Sequence, residues 1–285
     1  MKLIKTSAFL LSVFVIALLS RQATADAVVS ATVRIGSSNY SGDWYLPTAT
    51  PKGLVYLQHG FQRNKGHLRA LGNSLMAKGL MVLSINASMT GGAVNLAPQV
   101  ATAFANRSLT PPNGRALPEY FVLAGHSAGG LHVTLVGAEL ASRGVAGFRG
   151  VILFDPVDAN NRMAAAMQQI VNSNRAVYAI LANAGSCNSS NNAEPLLKAL
   201  TGTAFVGFKL TSRSAHTDAE GSSSDFFGRL LCGTPQAYNS AYLQQFAGGW
   251  ATDLLGNTMT PEFYPGGATL QNIIASNQGY LLKNP

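Results

Sequence analysis

Short apolar runs alternate with segments of helical periodicity along most of this sequence. Each run is bounded by glycine, proline or polar residues and has the length of a buried strand. The predicted strands are 54–57, 80–85, 120–125, 150–154, 176–181 and 205–210, and the predicted helices are 67–78, 95–105, 131–140, 159–172, 194–200 and 226–231. Strands that alternate with helices form a mostly parallel sheet with helices on both faces, so we predict the α/β class.

The two ends of this pattern add to the sheet and to its helical cover. Apolar and polar residues partly alternate over 27–34, a second extended piece covers 43–46, and the Gly-Ser-Ser-Asn stretch between them predicts a turn. An antiparallel hairpin should therefore open the sheet. Residues from Ala237 onward predict at least one amphipathic helix. Because no internal repeat or linker interrupts residues 26–285, we predict a single domain.

The first 25 residues form a segment of a different kind. Lys2 and Lys5 precede an apolar run from Ala8 to Leu19, and small residues follow at 23–25. This order is typical of a secretory signal peptide, and the run is short for a membrane span. We therefore predict a signal peptide at 1–25 and a protein secreted or exported to the periplasm, with an uncleaved anchor as the alternative.

The charge of the remaining chain is mildly basic. Removal of residues 1–25 leaves 17 basic and 12 acidic residues, so the net charge falls from +8 to +5. The basic residues are scattered, and no Lys/Arg run is long enough to indicate nucleic-acid binding. We expect no nucleic-acid partner, no stable membrane insertion and a monomer.

Two cysteines, Cys187 and Cys232, are the whole cysteine content of the chain. An even pair in an exported protein predicts a disulfide bond, with two unpaired buried thiols as the alternative. Two cysteines and five scattered histidines do not match the spacing of a metal site, so we predict no metal.

The strand at 120–125 runs directly into the sequence Gly-His-Ser-Ala-Gly at 125–129, and a helix is predicted to follow. This strand–turn–helix order around G-x-S-x-G is typical of a nucleophile elbow, in which a strained turn exposes the serine hydroxyl. The motif alone is common in a glycine-rich chain, but its position between a buried strand and a helix is specific. We predict that Ser127 is a nucleophile.

A nucleophilic serine needs a histidine base and a carboxylate that orients the base. His216 follows the last predicted strand, and Asp155 follows the strand after the elbow, so both lie at the sheet edge where ligands bind in such folds. We therefore predict the order Ser127, Asp155, His216. Asp158 is the alternative acid, and Asp218 is expected to cap its own loop instead.

Two main-chain N–H groups are needed to bind a developing oxyanion. One is predicted to come from Ala128, the residue after the serine. The other is predicted to come from Phe61, with Gln62 as the alternative, because the His-Gly-Phe turn at 59–61 follows an early strand and precedes the first long helix.

Taken together, these motifs resemble the α/β-hydrolase superfamily over residues 50–220. Residues 59–82 resemble cutinase-like polyester hydrolases and dienelactone-hydrolase-like enzymes. Residues 125–130, 155–158 and 215–218 are more similar to chlorophyllases and platelet-activating-factor acetylhydrolases, which take their acid from the strand that here bears Asp155. The resemblance implies the α/β-hydrolase fold, hydrolysis of carboxylic esters, and no metal or organic cofactor.

The predicted function is therefore that of a serine esterase acting on a small-molecule or polymeric ester, lipid-like or polyester-like, through an acyl-enzyme. Two alternatives remain at this point. The same triad serves amidases and peptidases, and a binding protein can keep the fold without activity. The sequence does not fix the acyl chain or the alcohol of the substrate.

Overall fold

A computed structural model describes residues 26–283, so the predicted signal peptide lies outside the described residues. The strands are β1 (Ala27–Ile35), β2 (Ser38–Leu46), β3 (Leu54–Gln58), β4 (Met81–Ile85), β5 (Phe121–His126), β6 (Phe148–Phe154), β7 (Ala176–Leu181), β8 (Gly207–Leu210) and β9 (Gly279–Leu281). The α-helices are α1 (Arg69–Ala77), α2 (Ala97–Ala105), α3 (Ala128–Ser142), α4 (Met163–Asn172), α5 (Glu194–Ala199), α6 (Phe226–Cys232), α7 (Ala237–Gly256) and α8 (Ala268–Ala275). Within residues 26–283, none of the helices has the length and apolarity required to cross a membrane.

All of these strands belong to one mixed sheet with the order β1-β2-β4-β3-β5-β6-β7-β8-β9. The six strands from β3 to β8 are parallel to one another, whereas β1, β2 and β9 pair with their neighbours in antiparallel orientation. The predicted mostly parallel sheet with an antiparallel N-terminal hairpin is confirmed. Because the parallel strands lie side by side, their carboxyl ends bring the loops after β3, β5, β6 and β8 to one edge.

Two hydrophobic cores cover the two faces of the sheet. Successive side chains of β3 point to opposite faces, so Leu54 and Tyr56 belong to one core and Val55 and Leu57 to the other. Helices α2, α3 and α4 pack on the first face, and α1, α7 and α8 pack on the second. Burial on both faces explains why the parallel strands appear in the sequence as continuous apolar runs.

Three differences from the sequence prediction have a clear structural reason. Helix α4 begins at Met163, not at residue 159, because Asn160 and Asn161 have positive φ angles and the Asp158 side chain accepts hydrogen bonds from the N–H groups that open the helix. Strand β8 begins at Gly207, whose φ of 111° excludes most other residues there. Strand β9 was not predicted, because three residues pairing at a sheet edge leave little pattern in the sequence.

Candidate active site

Ser127 lies in a sharp turn between strand β5 and helix α3. Its backbone has φ 57° and ψ −127°, a strained conformation for a residue with a side chain. The turn places Ser127 at the carboxyl end of β5 and directly before the first residue of α3. The partial positive charge at the N-terminus of that helix favours an anion beside the serine.

The glycines on both sides of Ser127 are required by close backbone contacts. A Cβ atom on Gly125 would lie 2.3 Å from the carbonyl oxygen of Gly129, and one on Gly129 would lie 2.3 Å from the carbonyl oxygen of His59. Both distances are far below van der Waals contact. The two glycines of the G-x-S-x-G pattern are therefore explained by the tight packing of this turn, in which Gly129 approaches the end of strand β3.

His216 and Asp155 come from neighbouring loops and contact each other directly. Asp155 directly follows β6 and His216 follows β8, and the His216 Nδ1–Asp155 Oδ2 distance is 2.6 Å. Both side chains are buried. The contact fixes the imidazole so that its Nδ1 donates to the carboxylate, which leaves Nε2 free to accept a proton.

Asp155 is held as a carboxylate by the donors around it. Burial alone would raise its pKa, but the hydrogen bonds from His216, Ala182 and Asn188 keep the pKa of Asp155 below its usual value. The Ala182 N–H donates to Oδ1 at 3.0 Å, and the Asn188 amide donates to Oδ2 at 2.9 Å. The carboxylate is therefore able to stabilise a positive charge on His216.

Ser127 and His216 line the same cavity, which has a volume of about 470 Å³. Within the described part of the chain, no hydrogen bond joins the Ser127 hydroxyl to the His216 ring. Such bonds are often long or poorly aligned without substrate and tighten when substrate is bound. The structure thus brings the predicted nucleophile and base to one cavity, and their catalytic roles remain a prediction.

The predicted oxyanion donors also lie beside the serine. A Cβ atom on Gly60 would lie 2.8 Å from the Ser127 Cβ, so the loop that carries Phe61 and Gln62 packs against the elbow. Ala128 is the first residue of α3, where an N–H has no acceptor within its own helix. Phe61 lines the cavity, as does Gln62, so the choice between these two donors stays open.

The alternative acid, Asp158, faces a different set of partners. Its Oδ1 accepts hydrogen bonds from the N–H groups of Arg162 at 2.9 Å and Met163 at 3.1 Å, as a helix-capping side chain does. Asp218 binds the Ala215 N–H at 2.8 Å and also accepts from residues 236 and 239, which secures the loop of His216. Of these three acids, Asp155 is the one that contacts the His216 ring.

Several residues that support the site were not identified from the sequence. His126 donates from Nε2 to the carbonyl oxygen of His216 at 2.8 Å, and the two rings lie 4.5 Å apart. Burial lowers the pKa of His126 to about 4, so its ring is neutral at neutral pH. The two residues of this hydrogen bond are 90 positions apart, so it leaves no local pattern in the sequence.

A partly buried ion pair joins the loop that carries Phe61 and Gln62 to the loop that carries His216. Arg63 donates to both carboxylate oxygens of Glu220 at 2.7 and 2.6 Å, and Glu220 is buried. Arg63 also donates to Asp225 at 3.1 Å, directly before α6. A two-point Arg–carboxylate contact fixes direction as well as distance, so this pair orients the two loops relative to each other.

The predicted disulfide bond between Cys187 and Cys232 is present. Cys187 is adjacent to Asn188, which donates to Asp155, and Cys232 ends helix α6. The bond therefore ties the loop that supports the acid to the helix beside the cavity.

Removal of this disulfide should destabilise the protein. The bond joins residues 45 apart in sequence, for which a loss of roughly 4 kcal/mol or less is expected. We expect the double variant Cys187→Ser/Cys232→Ser to melt roughly 5–15 °C lower in calorimetry. Reduced wild-type protein is the control and should melt like the variant. An unchanged melting temperature in both the variant and the reduced protein would show that the disulfide bond does not stabilise the fold.

Comparison with known proteins identifies the fold. No protein-family model matches the sequence, and no curated protein matches it. Among solved structures, a dienelactone hydrolase from Anabaena variabilis has a TM-score of 0.56 and 15% identity, with 83% of this chain and 100% of that chain covered. The esterase domain of a Rhodothermus marinus protein has a TM-score of 0.56 and 15% identity, with 81% of this chain and 100% of that chain covered. The fold is therefore that of the α/β hydrolases, as predicted.

Proposed function

We propose that this protein is a secreted or periplasmic serine hydrolase that cleaves carboxylic esters. The observation that carries the proposal is the contact of the buried Asp155 carboxylate with His216, whose side chain lines the same cavity as Ser127. A strained serine, an oriented imidazole and a carboxylate are the parts that acyl transfer requires. The dienelactone hydrolase and esterase domain of similar fold support hydrolysis as the reaction class.

The first half of the proposed reaction forms an acyl-enzyme. His216 Nε2 takes the proton of Ser127 as the serine oxygen attacks the ester carbonyl, and Asp155 stabilises the charge that develops on the ring. The N–H groups of Phe61 and Ala128 bind the oxyanion. The tetrahedral intermediate then breaks its bond to the alcohol oxygen, which takes its proton from His216.

The second half releases the acid. Water loses a proton to His216 and attacks the acyl carbon, and the same N–H groups bind the second oxyanion. Collapse of this intermediate breaks the bond to Ser127, whose oxygen regains its proton from His216. No metal or organic cofactor is needed for either half.

The apolar lining of the cavity supports a lipid-like or polyester-like ester. Phe61, Phe227 and Leu231 contribute apolar surface beside the catalytic residues. The cavity also contains the charged Arg63, but its charge is compensated by Glu220. The predicted export signal and the disulfide bond are both expected of a protein that works outside the cytoplasm.

A serine-reactive phosphonate tests the proposal at the level of one residue. Peptide mass spectrometry should find the label on Ser127, and the Ser186→Ala variant, which lacks another serine of the cavity wall, should label equally well. A panel of p-nitrophenyl esters, anilides and peptides then separates the activities. Absence of labelling would favour a binding protein, and faster turnover of amides than of esters would favour an amidase or peptidase.

A further inference from the structure

Helix α6 exposes four large apolar side chains to solvent. The exposed fractions are 70% for Phe226, 67% for Phe227, 66% for Leu230 and 69% for Leu231. Residues spaced by three and four positions are neighbours on a helix surface, so the pairs 226/230, 227/230 and 227/231 join the four side chains into one continuous apolar surface. We call this surface the α6 face. Apolar patches of this kind on a folded protein mark a place of contact with another apolar surface.

The α6 face is held outward by contacts at both ends of the helix. At the N-terminal end, Asp225 accepts a hydrogen bond from the Gly228 N–H at 2.7 Å and is contacted by Arg63 and His67. At the C-terminal end, Cys232 is tied to Cys187. Gly228 is buried against the Arg63 guanidinium, so the side of the helix that carries glycine faces the protein. The helix is therefore fixed with its apolar side in water.

The α6 face continues into the candidate active site. Phe227 and Leu231 line the cavity that contains Ser127 and His216, and so does the half-exposed Phe61. Phe226 and Leu230 extend the apolar surface beyond the cavity. A protein bound to the α6 face would block access to Ser127. An aggregated ester bound there would instead present substrate molecules to Ser127.

The charges around the α6 face match a lipid surface. From residue 226 to residue 236 the single charged residue is Arg229, and it is exposed. The nearest acid in sequence, Asp225, is paired with Arg63 and His67. An apolar helix face with a basic residue and no free acid suits the boundary between acyl chains and anionic headgroups. Protruding side chains are also surrounded more fully by a fluid surface, which deforms around them, than by a rigid solid.

We propose that the α6 face docks this protein on aggregated lipid esters. Phe226, Phe227, Leu230 and Leu231 enter the lipid surface, and one ester molecule moves from that surface along Phe227 and Leu231 to Ser127. This proposal rests on the esterase function proposed above, to which it adds the substrate class and the binding surface. It predicts that binding to an interface and hydrolysis of a dissolved ester depend on different residues.

The test uses the double variant Phe226→Ser/Leu230→Ser, because neither residue lines the cavity. The control is Met259→Ser, which removes a comparably exposed apolar side chain (65%) outside α6. Flotation with phosphatidylcholine–phosphatidylglycerol vesicles measures binding. Every protein in this experiment also carries the Ser127→Ala substitution, which prevents hydrolysis. We expect this double variant, the α6 variant, to bind about 10- to 100-fold more weakly, because it lacks two apolar side chains that enter the lipid surface. The control should bind like wild type.

Activity completes the test. On emulsified tributyrin at limiting interface, the α6 variant should be about 10-fold slower or more, while its kcat/KM for dissolved p-nitrophenyl acetate stays within about twofold of wild type. Equal losses on both substrates, or unchanged vesicle binding, would overturn the proposal. The proposal would also be overturned if the α6 variant bound lipid normally and lost activity only on a polyester film. A wild-type dimer in sedimentation that the variant abolishes would overturn it as well. A wild-type protein that binds vesicles but hydrolyses no ester would instead contradict the proposed function.

Discussion

Replacement of Ser127 with alanine is expected to lower kcat for a p-nitrophenyl ester by about 10⁴- to 10⁶-fold. In the proposed reaction the hydroxyl oxygen is the atom that forms the acyl-enzyme, and alanine has no atom in its place. Alanine keeps the Cβ atom, so the strained backbone at φ 57° and its packing against Gly60 should persist. The loss should therefore appear in kcat and not in folding.

Two measurements separate a lost nucleophile from a damaged fold. The melting temperature of Ser127→Ala should stay within about 2 °C of wild type, because the substitution removes one oxygen and no packed group. Ser186→Ala, in the same cavity wall, should retain wild-type kcat. Turnover by Ser127→Ala that approaches the wild-type rate would mean that another residue attacks the ester.

The fold could be predicted because its parallel strands are buried on both faces. Burial on both faces turns each of these strands into a continuous apolar run. The apolar run that ends just before Ser127 made it possible to locate the turn between β5 and α3 from the sequence. Strand β9 escaped prediction for the opposite reason. Its three residues are partly exposed at an edge and are defined by their pairing with β8, which is a tertiary contact.

The supporting residues of the site could not be predicted from the sequence for a related reason. Asn188 acts on Asp155 across 33 residues, and Glu220 acts on Arg63 across 157 residues, so neither pair leaves a local spacing. Both residues lie in polar loops, where asparagine and glutamate are common. Helix α6 was predicted over 226–231, but apolar residues ordinarily indicate burial, and only the contacts of Asp225, Gly228 and Cys232 show which way the helix faces.

The sequence leaves Asp155 and Asp158 as alternative acids, because the hydrogen-bond partners of each carboxylate are set by the fold. Mutation of the two residues should give very different results. Replacement of Asp155 with asparagine is expected to lower kcat by about 10³- to 10⁴-fold. Asp155 accepts hydrogen bonds at both oxygens, from His216 and Asn188 on Oδ2 and from the Ala182 N–H on Oδ1. An amide has only one oxygen, so its NH₂ group must face one of these donors.

If the amide oxygen faces Ala182, the NH₂ group faces His216 Nδ1 and can only donate to it. The ring then carries its proton on Nε2, where it cannot accept the proton of Ser127. If the oxygen faces His216, the NH₂ group opposes the Ala182 N–H, and the charge that stabilises the imidazolium is still lost. Either arrangement disables the base while the fold is kept.

Asp158→Asn provides the matched control for this change. A single oxygen of Asp158, Oδ1, accepts from the N–H groups of both Arg162 and Met163, and an asparagine oxygen can accept the same two bonds. We expect kcat of Asp158→Asn to stay within about threefold of wild type, because asparagine caps helices about as well as aspartate. Steady-state kinetics on one dissolved ester compares the two variants. A severe loss in Asp158→Asn with a mild one in Asp155→Asn would move the acid to the other carboxylate, since the observed capping bonds could not account for it.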